Sequence, residues 1–342
     1  MLPIFSTSFF CVLQVFLVCL AGVWLVQRGV MTREFRKGLS RLVALLLLPA
    51  LLVTKIGGAV DVAVLRKLIF LPLTAFIYIL SGLFIGWLVM LVARPPKQHR
   101  RLVLTACSFG NSGYIPIPLA LAIAGSASLF ADDPEAGARG VMYVSLYLVG
   151  MSPCLWGIGY PVLAGQPLRS LRWSQIISPP FLSALGGILV GCVPFLRDLF
   201  VAQGGTLRVL FDTGEFLGRA AVPCALLVLG ANLADRPKAA ERASMSTILS
   251  VAWGRLVLLP LIGCVVTIGL WKAALIPQDD PMLVLVLLIE AAVPSATNLV
   301  VMCQLHGRGE AAMSRILVAS YLLAVPTLTG FVGLFLWIAE RL

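Results

Sequence analysis

Ten stretches of this chain each run for about twenty residues with almost no charge, the length a helix needs to cross the hydrocarbon of a bilayer. They lie near residues 5–27, 39–56, 68–93, 102–124, 140–163, 178–200, 206–232, 248–271, 281–305 and 313–338, with short connections between them. No water in that medium satisfies a stray backbone group, so spanning segments are helices or closed barrels, and runs this long read as helices. The expected fold is an all-α membrane protein of ten transmembrane helices. Composition agrees, since 60% of the 342 residues are apolar and only 12% are charged, about half the charged share of a soluble domain. That argues against a soluble enzyme, a disordered chain and a nucleic-acid binder, despite a net charge of +11.

The eight cysteines (Cys11, Cys19, Cys107, Cys154, Cys192, Cys224, Cys264 and Cys303) all sit in apolar runs without CxxC spacing. They read as small buried side chains, with no disulfide framework, zinc site or cofactor indicated. His99 and His306 fall in connecting loops. No basic residue precedes the first apolar run, which is longer than a signal-peptide core and reads as a retained span.

Loop charge sets the orientation. Odd-numbered loops carry Arg28, Arg33, Arg36, Lys37, Arg41, Arg94, Lys97, Arg100 and Arg101. Further along come Arg169, Arg172, Arg236, Lys238, Arg242, Arg308 and Arg315, against only Glu34, Asp235, Glu241 and Glu310. Even-numbered loops are balanced and include the acidic stretch Asp132, Asp133, Glu135. The positive-inside rule places the odd loops in the cytoplasm and both termini on the other side, in a plasma or inner membrane. Lys55, Arg66 and Lys67 run against the trend, at helix ends where long side chains reach the interface.

A faint duplication organises the chain. LLLLPALLV around Pro49 matches RAAVPCALLV around Pro223, and RKLIFLPL ending near Pro72 matches GRLVLLPL near Pro260. SLYLVGMSP at Pro153 matches ASYLLAVPT at Pro326, giving offsets of 174, 188 and 173 residues for the three proline pairs. Residues 1–164 and 165–342 are therefore read as two five-helix repeats. An odd number of spans per repeat inverts the second copy, an arrangement typical of secondary transporters with a midplane substrate site.

The fourth and ninth spans correspond in this pairing, and both are interrupted. The fourth contains Phe109-Gly110-Asn111-Ser112-Gly113-Tyr114-Ile115-Pro116-Ile117-Pro118, too rich in glycine and proline for a regular helix. The ninth contains Glu290-Ala291-Ala292-Val293-Pro294-Ser295-Ala296-Thr297-Asn298, where Pro294 frees the carbonyl of Glu290. Each span is expected to restart at its proline, a favourable first helical residue, and to aim that N-terminal end at the midplane. Two such ends make an anion site, with Asn111, Ser112, Ser295, Thr297 and Asn298 as neutral donors. A packing kink is the plainer alternative.

FGNSGYIPIPLA together with VPSATNLVV resembles the auxin efflux carrier (PIN-like) family of membrane transporters over essentially the whole chain. The resemblance implies ten spans in two inverted repeats, helices 4 and 9 crossing at their broken centres, a small organic anion bound there, and a homodimer. Asn111 and Pro118 resemble the asparagine and proline of the family's helix 4 pattern, and Pro294 its helix 9 crossover proline. Gly113, Tyr114 and Pro116 share the first stretch. Lys67 stands where helix 3 carries a lysine, with Ala63 at the neighbouring acidic position and Leu52 at a helix 2 serine. The long central loop of the plant carriers is absent, so the chain resembles the short members.

Four ionisable residues lie within spans and are functional candidates by default: Glu215, Arg219, Arg255 and Glu290. Glu215 and Arg219 are one turn apart and are expected to pair. Arg255, near a cytoplasmic end, is expected to snorkel. Glu290 has no cation near it in sequence. It reads as a neutral acid or proton carrier, as a ligand of a coupling cation, or as a core acid satisfied by Arg255 or Arg219.

The expected function is a secondary transporter, an efflux carrier of small organic anions working by alternating access. Export of a monovalent anion from a negative interior gains roughly 2.3 kcal/mol per 100 mV, so uniport needs no coupling ion. Proton or sodium coupling through Glu290 is the alternative mechanism. A ligand-binding membrane sensor is a second class. An enzyme is disfavoured, because HExxH, GxSxG and paired catalytic carboxylates are missing from the sequence.

Overall fold

A computed structural model describes residues 2–167, 177–234 and 243–342, which are helical with no strand longer than a single bridge. Among them, seven helices are long and apolar enough to cross a membrane. These are α1 (Leu2–Gln27), α2 (Arg33–Ala59), α3 (Val62–Ala93), α6 (Ala136–Ala164), α9 (Arg208–Leu233), α10 (Met245–Lys272) and α13 (Glu310–Ala339). The remaining apolar stretches are divided into shorter helices. They are α4 (Arg100–Ser108) with α5 (Pro116–Ser126), α7 (Pro179–Cys192) with α8 (Pro194–Phe200), and α11 (Pro281–Ala292) with α12 (Asn298–His306).

The stretch expected as one span near 178–200 is bent by 98° between α7 and α8. Val193 is extended there, as a residue preceding proline prefers, and Pro194 opens α8. The loop charges Arg169, Arg172, Asp235, Arg236, Lys238, Glu241 and Arg242 lie outside the described residues.

Prolines inside the long helices do not break them. Pro49, Pro161 and Pro260 each follow a single π-helical turn, at Val43–Leu47, Leu155–Gly159 and Gly254–Leu258. Proline has no N–H to return to the carbonyl four residues back, and a widened turn accommodates it while the helix continues.

The helices pack as two groups. In one, α1 lies against α9, and α2 lies against α7 and α9. A Cβ at Gly230 would stand 1.8 Å from the Cys19 carbonyl oxygen, so α1 and α9 touch backbone to backbone only because that position is glycine. The other group assembles α3, α4, α5, α6, α10, α11 and α13. At its centre, every residue of α11 from Met282 to Ala292 is buried, and the helix is apolar on all faces except at Glu290. Contacts of α1 with α5 and α13, and of α6 with α2 and α7, join the groups.

Polar ties at one end of the second group anchor α11. Asp280 caps it by accepting from the Met282 and Leu283 amides at 3.0 and 3.3 Å. The Arg139 guanidinium reaches Asp280 at 3.1 Å and Asp133 at 3.0 and 2.6 Å, and the Tyr143 hydroxyl also donates to Asp280. That hydrogen-bonded guanidinium holds the Asp133 carboxyl, in the loop between α5 and α6, below the usual carboxylate range.

Candidate functional site

The two interruptions meet. Gly110, between α4 and α5, stands opposite Ser295, between α11 and α12, as one antiparallel bridge. Two backbone hydrogen bonds flank it, from Asn111 N to the Pro294 carbonyl at 2.8 Å and from Ala296 N to the Phe109 carbonyl at 2.9 Å. Glycine and proline interrupt the first helix and Pro294 the second, and the backbone groups so released satisfy each other across the crossing. The Ser295 hydroxyl adds a bond to the Ala106 carbonyl at 2.6 Å, tying α12's approach to the end of α4.

The restart points differ. Pro116 is the first residue of α5, as expected, and Pro118 also sits in the first turn. With both lacking an N–H, that turn has a single amide between them, that of Ile117, so this end offers mainly its dipole. The second restart is corrected from Pro294 to Asn298, with Thr297 preceding it. The physical reason is the crossing itself: residues 294–296 are held extended by pairing with 109–111 and cannot also turn into helix.

Asn111 is buried and is a strut. Its Nδ2 donates to the Tyr321 hydroxyl at 2.6 Å, and its Oδ1 accepts from the Tyr114 amide at 3.2 Å. Ser112 is buried beside it and bonds weakly to the Gly110 carbonyl at 3.5 Å. Gly113, Tyr114 and Thr297 are half-buried, Pro116, Pro118, Pro294 and Ser295 are buried, and Asn298 is exposed. The accessible polar groups are thus Asn298 and Thr297 at the start of α12, with Gly113 and Tyr114 before α5.

Arg255 is corrected: the side chain does not snorkel but is 2% exposed in the π turn of α10. Its Nε donates to the Val293 carbonyl at 2.8 Å, Nη1 to Cys107 at 3.4 Å and Nη2 to Glu290 at 3.4 Å. All three carbonyls belong to the ends of α4 and α11, the groups a broken helix leaves orphaned. The carbonyl freed by Pro294, that of Glu290, is one of them.

The Glu290 side chain is 1% exposed, and neither carboxyl oxygen has a hydrogen-bond partner among the described residues. Arg255 therefore binds the backbone of Glu290 and makes no ion pair with its carboxylate among the described residues.

The other candidates lie elsewhere. Glu215 does not pair with Arg219. Its Oε1 meets Lys55 Nζ of α2 at 3.0 Å, and Arg219 is exposed. A tertiary neighbour on a packed helix outcompeted the pair one turn away, which gains only about 0.2–0.5 kcal/mol on an isolated helix. Lys67 is exposed near the start of α3, lining with Arg66 and Asp279 a surface cavity of about 630 Å³.

Two tyrosines were not anticipated. Tyr321 of α13 is 2% exposed and holds Asn111, and Tyr147 of α6, equally buried, packs near Tyr78. Tyr78 donates to the Leu287 carbonyl at 3.1 Å and pairs with Thr267 at 3.2 Å, so α3, α10 and α11 are joined just before Glu290. A partial signal for the first two was in the sequence: SLYLVGMSP and ASYLLAVPT each carry a tyrosine shortly before the proline, Tyr147 six residues before Pro153 and Tyr321 five before Pro326.

Comparison with known proteins matches the sequence to membrane transporters. The family described as "Membrane transport protein" matches residues 7–167 and 164–332. The chain is similar to Protein PIN-LIKES 3 of Arabidopsis thaliana, 27% identical over 99% of both proteins. It is 28% identical to Protein PIN-LIKES 1 of the same plant over 99% of this chain and 80% of the other. An uncharacterised transporter of Schizosaccharomyces pombe is 22% identical over 92% of this chain and 91% of its own length.

Proposed function

The chain belongs to the membrane transport protein family of auxin efflux carrier (PIN-like) type, in a short form without the long central loop, and on that premise we propose that it is a secondary transporter of small organic anions. Auxin-like acids and other carboxylates are the substrate class. The observation carrying this reading is the backbone-paired crossing at Gly110 and Ser295, from which α5 and α12 both restart. Helix N-termini carry about half a positive charge each, and two of them beside one point suit one carboxylate. Asn298, Thr297 and Tyr114 supply neutral contacts, with Asn111, Ser112, Gly113, Pro116, Pro118, Pro294 and Ser295 shaping the pocket wall.

Alternating access moves the group around α11 against the group containing α1, α2, α7 and α9. Counting each broken pair as one crossing gives ten spans in two inverted halves, 1–164 and 165–342, with both termini outside a plasma or inner membrane. A homodimer is the expected assembly. The test is uptake of a panel of radiolabelled carboxylates, indole-3-acetate included, into proteoliposomes. Saturable uptake that N298A weakens supports the carrier, while saturable binding without flux favours a sensor.

One observation favours a second mechanism. The carboxyl group of Glu290 is buried and lacks a hydrogen bond among the described residues, which suits a proton- or sodium-coupled carrier. E290Q separates the two: flux persists under uniport, and dependence on the coupling ion disappears under coupling.

A further inference from the structure

Interrupted helices leave two kinds of end at a crossing. Restarting N-termini attract anions, and C-terminal ends with unwound carbonyls attract cations, which is where ion-coupled transporters hold their alkali ion. Here the cation-attracting half is formed by the ends of α4 at Ser108 and α11 at Ala292. Each carries about half a negative charge, so together they match one unit positive charge.

A guanidinium already fills that place. Arg255 directs its Nε, Nη1 and Nη2 at the carbonyls of Val293, Cys107 and Glu290, and among the described residues the guanidinium makes no hydrogen bond to a carboxylate. The fit is close on the backbone side too. A Cβ at Gly110 would stand 1.9 Å from Nη2 and 2.8 Å from Cζ, so the bridge residue must be glycine for the guanidinium to lie against it. The bond to the Val293 carbonyl, at 2.8 Å, is the closest of the three, while the two others at 3.4 Å spread the charge between both helix ends.

We infer that Arg255 is a tethered counter-cation occupying the carbonyl cradle that would otherwise take a metal coupling ion, so that anion transport by this chain is independent of sodium. The inference rests on the carrier reading above and deepens it. It removes sodium from the coupled alternative and leaves uniport or a proton at Glu290. Arg255 is a positioning residue: it touches both helix ends at the crossing and leaves the anion-attracting ends of α5 and α12 free for substrate.

Cation-linked stability tests this without knowing the substrate. Full-length protein is purified in detergent, and its melting temperature is followed in sodium, potassium or choline chloride at equal ionic strength. Wild type should melt at the same temperature in all three. R255A should melt lower, and millimolar guanidinium should restore several degrees in a saturable way while leaving wild type and R255K unmoved. Stabilisation of wild type by sodium over choline overturns the inference, because the cradle would then be open to a metal. A folded R255A indifferent to guanidinium also overturns it, because no cradle would then exist. The wild-type comparison stands whether or not R255A folds. Neither readout needs flux, so a carrier that moves no carboxylate would fail separately from this.

Discussion

Gly110 and Ser295 face each other across the crossing of two interrupted helices, with the Asn111–Pro294 and Ala296–Phe109 backbone bonds on either side. Released backbone from one half of the chain is satisfied by released backbone from the other. Glycine at 110 is required by the Arg255 guanidinium packed against it. G110A should therefore destabilise by about 1–3 kcal/mol, as overpacking of a filled core does. Thermal melting of the purified variant checks it, and an unchanged melting temperature would mean that the guanidinium moves aside at no cost.

Tyr321 and Asn111 form the one side-chain bond described between α13 and the first interruption. Y321F leaves a buried amide donor without its acceptor, at about 1–3 kcal/mol. The variant should insert and fold but bind carboxylates more weakly. Combining it with N111A should add little beyond N111A alone, because both remove one interaction. Additive losses in binding assays would count against a shared strut.

The Lys55–Glu215 pair is partly exposed, with side chains 27% and 34% accessible. Such pairs contribute at most about 1 kcal/mol. E215Q should leave carboxylate flux and melting temperature close to wild type, which liposome uptake and a melting curve measure side by side. A large loss of flux would restore Glu215 to the transport path.

Asp133 supplies a pH signature outside the spans. Arg139 depresses its folded-state carboxyl below the usual range, so the stabilisation is fully present above the unfolded value, about 3.9. It is lost as pH falls through the lowered folded value. Melting temperature should hold through neutral pH and drop in acid below about pH 4, and R139M should flatten that part of the curve. An equally steep acid limb in R139M would assign it to other carboxylates.

Sequence logic reached the features that covalent geometry dictates. The runs of glycine and proline at 109–118 and the proline at 294 announce interruptions wherever the chain puts them. The proline matches between the two halves of the sequence pointed to the fourth and ninth stretches as the pair to compare. What it missed depends on partners that leave no residue pattern. Arg255 is held by carbonyls 38 and 148 residues away, and any residue type provides a carbonyl. Glu215 found Lys55 at a separation of 160 residues, where the local rule pointed to Arg219. The helix restart slid from Pro294 to Asn298 because strand-like pairing overrode a local preference for helix. Tyr321 stands in ASYLLAVPT, where Pro326 is the residue that covalent geometry singles out and a tyrosine hydroxyl leaves no such mark.

The most direct measurement is carboxylate uptake into proteoliposomes containing wild type, N111A or N298A, scored alongside the correctly inserted fraction. The account predicts saturable uptake by wild type, faster under a membrane potential that favours anion movement, and weaker apparent affinity in both variants at equal insertion. Uptake by both variants indistinguishable from wild type, or none by well-inserted wild type for any carboxylate tried, would contradict an anion path through the crossing.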